Sequence, residues 1–389
     1  MESREGSSSQ TETRAKDSTI AIRRVRTSWD GSISFQLAPG MALVFLVGLF
    51  LVFRFLPFPH RQTTVEPEAK GDRGAIQVYF TQPPGMGSSE RAGWVEEEII
   101  EAIDEAQSSV DIAVYALNLE DVADALRRAD QRGVDVRLVI ESDNAGEPEV
   151  QALLGAGIAI HADQRPPLMH HKFIVIDGAE VWTGSMNLTG GAAFQDNNNL
   201  VRIASTPLAE DFTGEFNEMF EQDRFGALSL EDTPYTSLEV SGVPLEVLFS
   251  PEDGVAARIL DLIDEAEFSL EFAAFSLTSN AVADRLIAAA ERGVQVRGVM
   301  ETTQVGGTGS EYARLRQAGL DVRLDGNPFN MHHKFFLVDS AMVATGSYNF
   351  SASAEERNDE NMLIIHDPGL ARLYLEEFVR LFEEAGPTN

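Results

Sequence analysis

Two histidines and two lysines recur in one arrangement. The stretch "MHHKFIVIDGAEVWTGSMN" (Met169 to Asn187) returns 162 positions later as "MHHKFFLVDSAMVATGSYN" (Met331 to Asn349), so that His170 and Lys172 are repeated as His332 and Lys334. The chain has 26 Arg but only four Lys, and two of the four stand at this place in the copies, with four of the seven His. A lysine ammonium beside neutral donors makes an anion cradle, and a phosphate diester carries one negative charge that spreads over its oxygens during displacement. An imidazole can attack phosphorus or pass a proton near neutral pH, but one ring cannot act at both ends of an in-line displacement. Two copies facing one another remove that difficulty: one His attacks, the other protonates the leaving oxygen, and both lysines hold the phosphate.

The elements that must position these groups are short. "HHKFIVID" is too short and too β-branched for a helix, and Asp177-Gly178 makes a turn into "EVWTGSMN", which predicts a hairpin. Period-2 alternation puts His170 and Lys172 on one face and His171 and Phe173 on the other. Ser185 and Asn187 share a face on the returning strand, and Ser347 and Asn349 repeat them. His171 and His333 are therefore read as structural, and the unrepeated His60, His161 and His366 as incidental. Seen once, "HHK" would carry little weight, but the full spacing seen twice on matching scaffolds points to chemistry.

The repeat extends well beyond the motif. "IDEAQSSVDIAVYAL" (Ile103 to Leu117) matches "IDEAEFSLEFAAFSL" (Ile263 to Leu277), and "RGVDVRLVIES" matches "RGVQVRGVMET" at the same offset of 160. Runs such as "AIQVYFT", "SVDIAVYAL" and "VDVRLVIES" read as strands, while "WVEEEIIEAIDEA" and "LEDVADALRRADQRG" have helical spacing. The prediction is an α/β protein with two pseudo-symmetric domains, 75–226 and 245–389, each a mixed sheet flanked by helices, joined by a linker over 227–244.

Upstream, residues 1–35 lack apolar periodicity and read as a disordered tail. Residues 36–58 include the unbroken apolar and glycine run Met41 to Phe53 and read as an uncleaved transmembrane anchor, followed by a polar linker over 59–74. The "RRVR" cluster before the span favours an inside N-terminus, with the domains extracytoplasmic.

Composition narrows the partners. From residue 75 onward 20 basic side chains face 54 acidic ones, far from the make-up of a nucleic-acid binder, although such a surface also suits life in high salt. Cysteine is absent, which excludes disulfides and thiolate metal sites. Zinc held by the paired histidines is rejected because the lysines beside them repel a cation.

The duplicated His-x-Lys-x4-Asp pattern resembles the phospholipase D superfamily, over about residues 75 to 389. The resemblance implies that His170, Lys172, Asp177, Ser185 and Asn187 join His332, Lys334, Asp339, Ser347 and Asn349 in one interdomain site. It further implies a phosphohistidine intermediate, no cofactor or metal, and a monomeric active unit. Members of the family often carry a downstream acidic residue that orients the opposite histidine. "NDENMLI" supplies Glu360 for this, whereas "DNNNLVR" has Asn198 at the matching place, so the two histidines should be inequivalent. His170 is assigned as nucleophile and His332 as general acid. The expected substrate is a phospholipid, cleaved by hydrolysis. Transfer of the phosphatidyl group as in cardiolipin synthases, an extracytoplasmic nuclease, and a non-catalytic binder of phosphate head groups are the alternatives; nucleic acid is the less favoured partner.

Overall fold

Sequence that alternates short β-rich runs with amphipathic ones folds here into two similar α/β halves. The structure is a computed structural model that describes residues 74–83 and 95–386, all within one compact unit, Lys70–Asn389. The expected tail, the apolar span and all of the polar linker but Gly74 lie outside the described residues. Among the described residues no helix is long and apolar enough to cross a membrane.

The first half runs β1 (Ile76–Phe80), α1 (Val95–Glu105), β2 (Ser109–Val114), α2 (Glu120–Arg132), β3 (Asp135–Glu141), α3 (Pro148–Ala156), β4 (Ala159–Asp163), β5 (Lys172–Ile176), β6 (Glu180–Gly184), α4 (Gly190–Phe194), β7 (Asn199–Ala204) and α5 (Thr206–Gln222). The second runs β8 (Ser237–Val240), β9 (Val243–Ser250), α6 (Val255–Glu265), β10 (Ser269–Ala274), α7 (Asn280–Glu291), β11 (Gln295–Met300), α8 (Tyr312–Gln317), β12 (Asp321–Leu324), β13 (Lys334–Val338), β14 (Met342–Gly346), α9 (Ala352–Glu356), β15 (Glu360–Ile365) and α10 (Pro368–Glu384).

Both sheets are mixed, as expected. The first has the order β1-β7-β6-β5-β2-β3-β4, and the second β12-β11-β10-β13-β14-β15-β9-β8. Strands joined through helices, β2 to β3 to β4, are parallel, while the hairpins β5-β6 and β13-β14 are antiparallel. The first hairpin turns on Asp177 and Gly178, both with φ near the left-handed region (54° and 58°), as a two-residue turn requires. One strand was not anticipated. The expected linker 227–244 contains β8, which pairs antiparallel with β9 around Ser241-Gly242 and adds an eighth strand to the second sheet. Its four residues are too few to show a period.

The core has three parts. Helices α1 to α3 and α6 to α8 cover the outer faces, through separate clusters that include Ile103, Leu126 and Trp182 in one half and Ile263, Leu286 and Phe336 in the other. A central cluster takes side chains from both halves, with Phe173, Phe212 and Phe249 beside Phe335, Tyr374 and Phe378. Each such ring contributes about 2 kcal/mol on burial, so the halves are cemented by rings from the inner helices α5 and α10 (Phe212, Tyr374, Phe378) and from strands β5, β9 and β13 (Phe173, Phe249, Phe335).

Candidate active site

The backbone sets the site first. The residue before each His-Lys strand forms an isolated parallel bridge with the other half, Met169 with Asp359 and Met331 with Asn197. His170 N donates to Asp359 O and His332 N to Asn197 O, each at 2.9 Å. The next residues along, Glu360 and Asn198, are thereby set opposite His170 and His332.

The side chains follow this register. His170 Nδ1 lies 2.7 Å from Glu360 Oε2, and His332 Nδ1 lies 2.9 Å from Asn198 Oδ1. Each imidazole thus donates through Nδ1 to a residue of the opposite half, which leaves Nε2 with its lone pair. Lys172 Nζ donates to the His170 carbonyl at 2.7 Å; Lys334 Nζ donates to the His332 carbonyl at 2.9 Å and lies 3.1 Å from His332 Nε2. All four groups are buried, and His170 and Lys172 share a face as the alternation predicted.

Burial dominates the electrostatics. It lowers both histidines well below their usual value, helped by the ammonium groups of Lys172 and Lys334. It lowers Lys172 to about 7 against the attraction of Glu360, and lowers Lys334 well below its usual value, helped by Lys172. Glu360 is pushed up to about 7 by burial, opposed by Lys172. The cluster therefore presents neutral imidazoles, ready as nucleophiles, among buried lysines whose ammonium form lacks water and would gain most from an anion.

Not every residue expected at the site reaches it. Asp177 and Asp339 stand at the far ends of β5 and β13, five strand residues or about 16 Å from the lysines. Asp177 accepts from the backbone N–H groups of Gln107, Ser108 and Ser109, and Asp339 from those of Glu267, Phe268 and Ser269. They pin the turn between the first helix and strand of each half, and the reading of these two as catalytic is corrected on that ground.

Ser185 and Ser347 are at the cluster but are occupied. Ser185 Oγ donates to Asn198 Oδ1 at 2.8 Å and accepts from Asn199 N; Ser347 Oγ accepts from Asn361 N and steadies Glu360. They hold the residues that hold the histidines. The glycine before each is needed for this, because a Cβ at Gly184 or Gly346 would run into the carbonyl of Asn199 or Asn361. Asn187 and Asn349 lie two residues past each serine, each with Oδ1 buried and unpartnered.

Beneath the histidines lies a layer that sequence reasoning missed. Asn361 accepts from Thr183 Oγ1 at 2.7 Å and donates to His171 Nδ1 at 3.2 Å, while His171 Nε2 meets Glu215 at 3.0 Å. Reciprocally, Asn199 donates to Thr345 and Tyr374, and His333 bridges Asn199 Oδ1 and Glu377 Oε1 at 3.1 Å each. The signal was available, since 183/345, 199/361 and 215/377 share the 162-residue offset of the motif. Among the described residues no group of three or more His, Cys, Asp or Glu is disposed to hold a metal ion.

Comparison with known proteins agrees with this architecture. Residues 99–220 and 259–382 each match the family model described as "Cardiolipin synthase, PLD-like domain". The chain is 35% identical over 159 residues to a mitochondrial cardiolipin hydrolase of Xenopus tropicalis, covering 40% of this chain and 76% of that protein. It is 32% identical over 164 residues to a phospholipase D of Rickettsia conorii, covering 42% and 82%. The solved phosphatidylserine synthase of Haemophilus influenzae shares the fold, with a TM-score of 0.58 at 16% identity over 79% of this chain and 86% of that one. With both halves matched, over more than half of its length, the chain belongs to the phospholipase D superfamily.

Proposed function

We propose that this protein is a phospholipase D-type phosphodiesterase that cleaves glycerophospholipids through a phosphohistidine intermediate. The observation that carries the reading is the pair of buried imidazoles, each anchored at Nδ1 by the opposite half and flanked by a lysine ammonium. In the first step His170 Nε2 attacks phosphorus, the P–O bond to the leaving alcohol breaks, and His332 gives its proton to that oxygen. In the second, His332 takes a proton from water, the hydroxyl adds to phosphorus and the P–N bond breaks. Glu360 steadies the cationic phosphoimidazole, and the diester's own negative charge favours the protonated form of His332. Lys172 and Lys334 hold the non-bridging oxygens.

Phospholipid as substrate is supported by the names of the similar hydrolases and by the acidic composition of the folded part. The apolar run Met41 to Phe53 supports a position at a membrane, and the cluster of Arg23, Arg24 and Arg26 before it supports extracytoplasmic domains. Transfer to an alcohol is the second reading, favoured by the description of the matching family model. It differs only in which hydroxyl meets the intermediate.

The test offers the full chain, in detergent micelles, phosphatidylcholine, phosphatidylglycerol and single-stranded DNA side by side, with glycerol added in a parallel series. Phosphatidic acid from either lipid supports hydrolysis, and a new phosphatidyl ester in the glycerol series supports transfer. Cleavage of DNA alone would replace the lipid reading by the nuclease one.

A further inference from the structure

Tyr115 and Phe275 occupy equivalent places, one residue beyond β2 and β10, and neither is part of the duplicated motif. Each is tied to the active strand by its backbone, Tyr115 N donating to His171 O and Phe275 N to His333 O. Each ring is half-buried and touches both reactive groups of its own half. The Tyr115 ring meets His170 edge-on at 5.2 Å between centroids and lies 5.5 Å from Lys172 Nζ. The Phe275 ring meets His332 at 4.6 Å and lies 4.9 Å from Lys334 Nζ.

A buried ammonium has lost its water and needs a negative partner. Among the described residues neither lysine forms a direct salt bridge with a carboxylate; Glu360 attracts both, and Asp196 attracts Lys334, without an ion pair to either. An aromatic face supplies negative potential without a charge and without consuming an N–H donor. We propose that Tyr115 and Phe275 are positioning residues whose ring faces favour the ammonium form of Lys172 and Lys334 while leaving their N–H groups for the phosphate. Its meaning for catalysis rests on the phosphodiesterase reading above, but its test does not. The phenol oxygen of Tyr115 has no counterpart on Phe275, so the shared function resides in the ring.

With only four lysines in the chain, selective labelling of lysine Cε gives a spectrum in which Lys172 and Lys334 are assigned by first replacing Lys16 and Lys70 with Arg. Titration of the full-length protein in micelles then reads each ammonium directly. Tyr115→Leu should lower the Lys172 midpoint by about 0.5 to 1.5 pH units and leave Lys334 nearly in place, and Phe275→Leu should do the reverse. Tyr115→Phe, which keeps the ring, should leave Lys172 unmoved. Unchanged midpoints in the leucine variants, or an equal fall with Tyr115→Phe, would overturn the proposal. If a leucine variant fails to fold, fluorination of the Phe275 ring keeps its shape but drains its face, and a Lys334 midpoint that does not fall then overturns it. Loss of activity on lipid with normal lysine titration would count against the positioning role alone, whereas shifted titration in a protein inactive on every diester would count against the functional reading alone.

Discussion

Glu360 lies 190 positions from His170 in sequence and 2.7 Å from its Nδ1 in space, reaching it from the opposite half of the molecule. The equivalent contact, from Asn198 to His332, is an amide at 2.9 Å. The same geometry is thus used with a carboxylate on one side and a neutral group on the other.

Exchanging these partners should therefore act on charge and spare position. Glu360→Gln keeps a hydrogen-bond acceptor for His170 but removes the anion, and kcat/KM should fall about 10²- to 10³-fold with little change in melting temperature. Asn198→Asp places a carboxylate beside His332, which favours its cation and raises its pKa. The alkaline limb of the kcat/KM profile should then move to higher pH, and a limb that stays in place would argue against His332 as the acid.

The two histidines should separate on a diester with a nitrophenol leaving group, which departs without a proton. His332→Ala should then complete the first half-reaction and accumulate acid-labile, base-stable label on the protein, while His170→Ala should form none. Label in the His170 variant alone would reverse the assignment.

Asp177→Ala and Asp339→Ala should behave as stability variants. Each removes an acceptor for three backbone N–H groups at a partly exposed turn, worth about 1–2 kcal/mol in urea unfolding. Below the unfolding range kcat/KM should stay within about threefold of the parent, since neither residue is near the histidines. A loss of several orders of magnitude in a folded variant would restore them to the chemistry.

From the buried carboxyls of Glu215, Glu252 and Glu377 stability should peak near pH 4.5, about their unfolded value, and fall on either side. Glu215 is pushed up to about 8 by burial and by Glu218, and the neighbouring Glu252 up to about 10 by burial and by Glu215. Folding favours their protonated forms, so this contribution is full below the unfolded value and is lost progressively as pH climbs from there through about 8 for Glu215 and about 10 for Glu252. Burial alone would raise Glu377 as well, but His333 and Arg380 hydrogen-bond to it and bring it down to about 2. Its contribution is full above the unfolded value and is lost as pH falls towards 2. Glu252→Gln should flatten the alkaline side of a melting-temperature profile, with the acid side unchanged.

How far the sequence could be read follows from range. The shared face of His170 and Lys172 was legible because alternation along a strand is local. The duplication made Glu360 and Asn198 legible as matching positions, since equivalence needs no coordinates. Asp177 misled because closeness in a motif says nothing about which end of a strand a residue occupies. Tyr115 and Phe275 were read only as strand residues, since their role lies in rings that face a neighbouring strand. The layer of Thr183, Asn199, Thr345 and Asn361 depends on two halves meeting through polar groups, and no local pattern announces a partner up to 178 residues away.

The crossed anchoring of the histidines has a consequence for any attempt to divide this gene. Expressed alone and paired with itself, the first half would build a site with an amide at both anchors, and the second half a site with two carboxylates. Neither self-pair reproduces the parent's mixed set, which only the unlike pair can assemble. The covalent tether between the halves therefore does more than raise their local concentration: it excludes the two symmetric molecules, and the fused chain holds a broken symmetry that its separated parts would lose by mixing.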